Sequence, residues 1–495
     1  MLSATSPLLR RSAAVAAAFG LAAVAGPRVA EATPAGTVTG PAALHWSTCP
    51  AGSDAPRGTY CSTIKVPLDH TKPKGRQINL TLSIAGALDA PRTLVVNPGG
   101  PGQSGIGTAK LVWSSLPEDV GAQYNVVSFD PRGVGASTPV SCGDTKKLIK
   151  HPAVPYTPAT EAQEQARRTV AGKIAEQCQA NSKDLLPYIT TANAARDMDR
   201  IRTAFHQDKL DYLGYSYGTK LGATYATLFP SHTGRMILDS VVDPTVTTYA
   251  SQYEQDPALQ HRAEQFFAWA AKKDSTYHLG DSAAKVSATW NAVRKQLDAH
   301  PAGGRAGSAE LDDLLASVMY LDIQWGDVAK AVSDYRRGDA GDLLGATDQL
   351  AFGGVDPAQL AYNCVDDAWP RDWATLHKET AAAAPKSPLF AWLNTWYSAP
   401  CAFWKAPTAP PVKIGAAKVP PILLLQAKDD PATPLVGAQR MHQVLAGSRL
   451  VVAGGGNHGQ YLFDNNPCMD KHGSHYLLTG HLPTADTTCP ATPAP

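Results

Sequence analysis

Gly214-Tyr215-Ser216-Tyr217-Gly218 is the stretch on which the reading of this chain turns. Residues 209–213 before it read as a short buried strand. Residues 219–229 after it are small and apolar enough for a helix packed on a sheet, stopped by Pro230. A serine between two glycines at a sharp strand-to-helix turn is a nucleophile elbow. The small flanking residues let strand and helix approach, and the turn lifts the hydroxyl above the sheet edge. The N–H of Tyr217 then points to where an oxyanion would form. An ordinary glycine-rich turn around a buried serine uses the same five letters, so the rest of the chain has to decide.

Upstream, residues 77–85 alternate polar and apolar side chains and predict a half-exposed strand. Residues 92–97 form an apolar run suited to a sheet interior. That run ends in Asn97-Pro98-Gly99-Gly100-Pro101-Gly102-Gln103-Ser104-Gly105, too rich in proline and glycine for helix or strand. A constrained loop directly after a core strand offers backbone N–H groups at a fixed place, and Gly100 is the candidate for a second oxyanion donor. A further strand, 124–129, runs into Asp130-Pro131-Arg132-Gly133, where a buried Asp130–Arg132 pair bracing the loops is expected. Neither glycine loop has the lysine or the acidic ribose reader of a nucleotide site. Residues 144–180 are polar and mostly helical, and 191–206 carry an apolar stripe, Ala195, Met198, Ile201 and Phe205, at helical spacing.

Downstream of the elbow helix, residues 235–240 make another short strand, after which the texture changes. Residues 245–405 show helical patterns at 258–272, 284–299, 308–319, 325–335 and 340–350, with no clear strand alternation. They predict a mainly helical cap inserted into an α/β core. Its later part is rich in aromatic residues, such as Tyr362, Trp369, Trp396, Tyr397 and Trp404, which serve as packing or as the lining of an apolar pocket. The core resumes with a strand at 420–426, the stretch Lys428-Asp429-Asp430-Pro431-Ala432-Thr433-Pro434, a helix at 435–445, a strand at 449–452, and the loop Gly454-Gly455-Gly456-Asn457-His458-Gly459.

A serine, an aspartate at a strand end and a loop histidine in that chain order are the order of an α/β-hydrolase triad. His458 would take the Ser216 proton during attack on a carbonyl, and the acid would hold the imidazole in the correct tautomer. The residues alone leave Asp429 and Asp430 both open as that acid. Of the late histidines, His458 stands in a glycine-flanked loop after a strand; His442, His472, His475 and His481 read as surface or structural.

The segments 97–105, 129–138, 210–230, 238–244 (Leu-Asp-Ser-Val-Val-Asp-Pro), 363–370 (Asn-Cys-Val-Asp-Asp-Ala-Trp-Pro) and 430–434, with the His458 loop, resemble the secreted tripeptidyl aminopeptidases of Streptomyces-type actinobacteria. Those enzymes group with the proline iminopeptidase-like α/β-hydrolases, and the resemblance runs from about Trp46 to the C-terminus. It implies a serine aminopeptidase that releases tripeptides, often after proline or small residues, from peptides with a free N-terminus. By position it puts the nucleophile on Ser216, the acid on Asp430, the base on His458 and the oxyanion donors on Gly100 and Tyr217. An exopeptidase must also recognise an ammonium, for which Asp366 and Asp367 beside Cys364 are the candidates. The family carries glutamate just before this cysteine, where this chain has Asn363, and that difference leaves room for tetrapeptide release. A secreted esterase is the rival reading, since the same triad serves esters. A non-catalytic binding protein would be expected to lack a triad member, and none is missing.

Composition sets the outer bounds. With 44 basic and 43 acidic residues among 495, the formal net charge is +1, which argues against nucleic acid as the main partner. Arg10-Arg11 followed by an uncharged, alanine-rich stretch of about 15 residues predicts a signal peptide over 1–32, too short to span a bilayer. Residues 33–44 predict a flexible or pro-segment, with the hydrolase core over 45–244 and 406–495. The expected product is a secreted, extracellular monomer without stable membrane association. The eight cysteines, in an exported chain, predict disulfides, and local loops favour Cys49–Cys61, Cys142–Cys178, Cys364–Cys401 and Cys468–Cys489. No CxxC pair exists, which disfavours structural zinc, and the reading as a whole implies no metal or organic cofactor.

Overall fold

The computed structural model describes residues 44–56, 59–350, 356–415 and 418–495. The expected signal peptide, and the following segment up to residue 43, lie outside the described residues. The described strands form one ten-stranded sheet in the order β1-β2-β3-β5-β4-β6-β7-β8-β9-β10. These are β1 (Ser47–Thr48), β2 (Tyr60–Pro67), β3 (Gln77–Ala85), β4 (Arg92–Asn97), β5 (Tyr124–Phe129), β6 (Leu210–Tyr215), β7 (Thr233–Asp239), β8 (Leu423–Ala427), β9 (Arg449–Ala453) and β10 (Thr487–Cys489). The pairings β1–β2, β2–β3 and β3–β5 are antiparallel, and every pairing from β5 through β10 is parallel.

The apolar runs of the parallel strands follow from burial on both faces. Along β4, Val95 joins a core with Val127, Tyr212, Met236 and Leu424, under the helices Thr191–Ala204 and Tyr217–Leu228. Its neighbours Leu94 and Val96 join Val126, Leu213, Ile237 and Val451 on the other face. The helices Thr108–Ser115 and Pro467–Thr479 close that face. Alternate side chains of one strand thus feed two cores, as a period of two requires.

Between β7 and β8 the described residues form helices and turns and no strand. Phe266, Trp290, Leu315, Trp325 and Val332 build a separate apolar core there. Farther along the same insertion, Tyr362, Trp369, Cys401 and Trp404 pack into the sheet's own core. The architecture is an α/β-hydrolase core with a helical cap.

Four features depart from the sequence-based expectations. β3 is buried from Leu80 through Ile84 rather than half-exposed. The chain at 136–138 lies over it, with Ser137 Oγ accepting from Thr81 N at 2.9 Å and Thr138 Oγ1 from Asn79 N at 3.0 Å. The helix expected from residue 258 begins ten residues earlier, as Thr248–Lys272, and carries Pro257 inside it. Helices Pro357–Asp366, Trp373–Ala383 and Ala391–Ser398 fill what the apolar periodicity did not resolve.

The fourth concerns Asp130 and Arg132, both buried but not paired with each other. Asp130 accepts from Ser104 Oγ at 2.7 Å, Gly105 N at 2.9 Å and Ala136 N at 2.7 Å, which braces the proline- and glycine-rich loop. Arg132 instead grips Asp197 of the helix Thr191–Ala204 through two bonds of 2.6 and 2.7 Å. Its remaining N–H groups reach the carbonyls of Pro67, Leu68 and Tyr188. The planar fork of arginine matches that donor demand, and a nearby aspartate on the same turn cannot.

Disulfides join Cys49 to Cys61, Cys142 to Cys178, Cys364 to Cys401 and Cys468 to Cys489. A cluster of Cys468, His472 and Cys489 has metal-like spacing, but both its cysteines are already in that last bond.

Candidate active site

Ser216 stands between β6 and the helix Tyr217–Leu228, half-buried, with φ +54° and ψ −125°. A side chain rarely adopts that backbone, and such strain collects at functional positions held by their surroundings. Here the holding is visible. Ser216 N donates to Asp239 O at 2.9 Å, and Ser216 O accepts from Thr219 Oγ1 at 2.6 Å. The glycine before the elbow is needed for close approach, since a Cβ on Gly214 would stand 2.5 Å from Gly218 O.

The loop after β4 meets the elbow directly. Gly99 has φ +107°, and a Cβ there would lie 2.7 Å from Tyr215 O and 2.9 Å from Ser216 Cβ. Asn97 Oδ1 accepts from Gly99 N at 3.0 Å and so shapes the turn. Gly100 follows with the same φ, and Gly102 abuts the backbone of Ala358 and Gln359 in the cap. Tyr217 packs its ring against Tyr362, and its hydroxyl shares a 2.5 Å hydrogen bond with Thr191 Oγ1.

Asp430 and His458 come together, both almost wholly buried. His458 Nδ1 lies 3.0 and 2.9 Å from the two carboxylate oxygens of Asp430. Asp430 also accepts from Ala432 N at 2.9 Å, Thr433 N at 3.0 Å and Thr433 Oγ1 at 3.0 Å. The turn ending in Pro434 thereby fixes the carboxylate. Asp429 turns away and accepts from Gln265 Nε2 at 2.9 Å. His442 is occupied elsewhere, by Ser448 and Asp486.

The His458 loop is anchored from two sides that the sequence did not reveal. On the core side, Gly459 N donates to Ser240 Oγ, and Gln460 N and Tyr461 N donate to the Asp239 carboxylate. On the cap side, His458 N donates to Tyr320 O at 2.9 Å, and the Tyr320 ring stands edge-on to the imidazole at 5.3 Å. Asn457 has its amide fully engaged by Arg262, Asp322 and Asp464.

Tyr320 and Tyr397 are large aromatic side chains left exposed, 40% and 58% respectively. Burial, with the charge of Asp430 adding, pushes the Tyr320 phenol up to about 12. Burial, Tyr320 and Asp356 hold the Tyr397 phenol higher still. Tyr397 also donates to Gln359 Oε1 at 2.5 Å, which links it to the Gly102 loop.

Asp366 and Asp367 do not stand free. Lys220 Nζ lies 3.1 Å from Asp367 and 3.9 Å from Asp366. Asp366 also accepts from Thr191 N, and Asp367 from Thr248 N, at 2.8 and 2.9 Å. Burial raises the Asp366 carboxyl above its ordinary value. For Asp367 burial acts the same way, but Lys220 and Thr248 outweigh it and hold the carboxyl low. Burial works against the Lys220 charge, and the two carboxylates more than offset it, so the ammonium is held charged. The ammonium facing these two carboxylates is the chain's own Lys220.

The family model described as "TAP-like protein" matches residues 387–489. The chain is 37% identical over 478 residues to a protein named tripeptidyl aminopeptidase from Streptomyces lividans, covering 92% of this chain and 88% of that one. This chain belongs to the tripeptidyl aminopeptidase family of α/β-hydrolases. Other relatives of this tripeptidyl aminopeptidase family member are the serine protease Hip1 of Mycobacterium tuberculosis, 30% identical over 90% of this chain and 91% of its own. A protein named carboxylesterase B from the same species is 30% identical over 92% of both chains. Membership makes the chain a serine-hydrolase-type enzyme, and its relatives' names span peptidases and an esterase.

Proposed function

We propose that this chain is an exported serine aminopeptidase that removes short peptides, tripeptides foremost, from free N-termini. The likeness to the Streptomyces lividans tripeptidyl aminopeptidase along 92% of the chain carries the proposal. The bonded Asp430–His458 pair and the Ser216 elbow would together supply its chemistry. The core is taken as 45–244 and 406–495 and the cap as 245–405. Export is supported by the four disulfides and by the character of residues 1–32.

In the proposed reaction, Ser216 Oγ attacks the carbonyl carbon before the cut while His458 accepts its proton. The tetrahedral oxyanion takes N–H bonds from Tyr217 and Gly100, each donor contributing roughly 3–4 kcal/mol. His458 then protonates the leaving amine, and water hydrolyses the acyl-enzyme by the same path in reverse. Asp430 keeps Nδ1 protonated and stabilises the imidazolium.

Asp366 and Asp367, held by Lys220, are better read as a brace between cap and core. Asp356 has no cationic partner among the described residues, and its charge acts on the exposed Tyr397. We assign it the substrate ammonium. Asp356 also caps the helix Pro357–Asp366, accepting from Ala358 N at 2.8 Å and Gln359 N at 3.0 Å. Asparagine caps a helix as well as aspartate does. Asp356→Asn therefore removes the charge and keeps the cap. It is expected to raise KM for free-amine peptides about tenfold while leaving KM for a short neutral ester unchanged; equal effects on both would remove Asp356 from amine recognition.

The functional test is a ladder of peptides with free and blocked N-termini and proline at the second, third or fourth position, with product masses followed over time. Intact tripeptides released from free-amine peptides alone are the expected result. An esterase, the second reading favoured by the carboxylesterase relative, would turn over simple esters and ignore the state of the N-terminus.

A further inference from the structure

Asp239 takes no part in the chemistry above, yet it is fully buried at the end of β7, beside β8, and its hydrogen bonds reach both the nucleophile and the loop of the base as well as Ser240 Oγ at 3.3 Å. Its main-chain carbonyl accepts from Ser216 N at 2.9 Å. Its carboxylate accepts from Gln460 N at 2.9 and 3.1 Å and from Tyr461 N at 2.7 Å. The next residue, Ser240, has φ +56° and accepts from Gly459 N through Oγ at 2.7 Å. Its own N–H is bound to Leu425 O of β8 at 2.9 Å.

The N–H groups of the three residues that follow His458 are therefore all satisfied by Asp239, the last residue of β7, and Ser240 just after it. Successive N–H groups converging on a point form a concavity that favours an anion. A buried carboxylate with this many N–H donors can hold a loop more tightly than a neutral acceptor. Asp430 fixes the rotation of the His458 ring, but the ring's distance from Ser216 depends on where the loop backbone lies. Ser216 and His458 are far apart in sequence, and Asp239 is the residue that bonds the backbone of the one and the loop of the other.

We propose that Asp239 is a positioning residue that sets the separation of Ser216 and His458, through its carbonyl on one side and its carboxylate on the other. The proposal rests on the reading of Ser216 as nucleophile and His458 as base. It does not depend on which acyl substrate is cleaved.

The test uses Asp239→Asn and Ser240→Ala in the full chain, with active sites counted by fluorophosphonate titration and turnover measured on both a tripeptide anilide and a short ester. Asparagine keeps one acceptor oxygen but turns an NH2 group toward donors. Displacement of a reacting group by about 1 Å costs on the order of 10²-fold in rate. Asp239→Asn is accordingly expected to lower kcat per titrated site about 100-fold on both substrates, with KM within about threefold of its starting value. Combined with Asp430→Asn, its effect should be much less than multiplicative, because both act through His458. Ser240→Ala, which keeps the carboxylate, is the variant to rely on if Asp239→Asn does not fold, and about a tenfold fall in kcat with unchanged KM is expected. A lower melting temperature and fewer titratable sites, with kcat per site intact in both variants, would overturn the proposal. Full activity of Ser216→Ala would instead overturn the reading on which it rests, whatever the Asp239 variants do.

Discussion

Ser216→Ala is expected to lower kcat by about 10⁶-fold, the scale seen when the nucleophile of a serine triad is removed. KM should stay within a few fold, because the hydroxyl contributes little to ground-state binding. The backbone supports the expectation that the variant folds. Asp239 O holds Ser216 N, Thr219 holds Ser216 O, and neither bond involves the side chain that is lost. A methyl group in place of the hydroxymethyl also leaves the contact with Gly99 unchanged, since it is Cβ that lies against that glycine. Loss of fluorophosphonate labelling with an unchanged melting temperature would place the chemistry on this hydroxyl. Retention of more than about 1% of the activity would move the nucleophile elsewhere.

Asp430→Asn is expected to lower kcat by about 10⁴-fold while leaving the protein folded. Both carboxylate oxygens face His458 Nδ1, and the acid also accepts from Ala432 N, Thr433 N and Thr433 Oγ1. An asparagine in that turn keeps one acceptor and directs its NH2 at an N–H or at the imidazole. In the second case the ring is driven into the tautomer that cannot accept the serine proton. The loss should fall on kcat with both peptide and ester substrates. Asp429→Asn is the control: its carboxylate bonds Gln265 on the cap, and the variant should stay within about threefold of the parent.

What the sequence disclosed follows the range of the forces involved. Elements set by local pattern were legible: β4 and β5 run over the same residues as expected, and the elbow, the Asp430 turn and the His458 loop are each glycine or proline punctuation at a strand end. What was not legible depends on partners distant in the chain. Arg132 was given its neighbour Asp130, whereas geometry gives it Asp197, 65 residues away. β3 alternates as a surface strand does, and only the chain at 136–138 folding over it turns its polar side buried. The helix expected from residue 258 runs ten residues farther toward the N-terminus, through Pro257, with Asn394 donating to Asp256 at 2.7 Å beside that proline. The choice between Asp429 and Asp430 needed a resemblance, because two adjacent carboxylates differ only in which way the turn faces them. Asp239 and Ser240 were legible only as part of the 238–244 match, and nothing in it announced what they hold: they accept backbone N–H groups, which every residue but proline carries.

The anchoring of the His458 loop on the cap has a consequence for how substrate enters. Tyr320 O bonds His458 N, and Arg262 and Asp322 hold Asn457, so the base sits on hydrogen bonds that span both parts of the molecule. A hinged roof that swung clear would take those bonds with it and leave the imidazole misplaced at the moment of admission. If His458 is the base, as proposed, its position therefore depends on this part of the cap staying seated. Under the aminopeptidase reading proposed above, substrate would then have to reach Ser216 without displacing the cap segment, Tyr320 to Asp322, that holds the His458 loop.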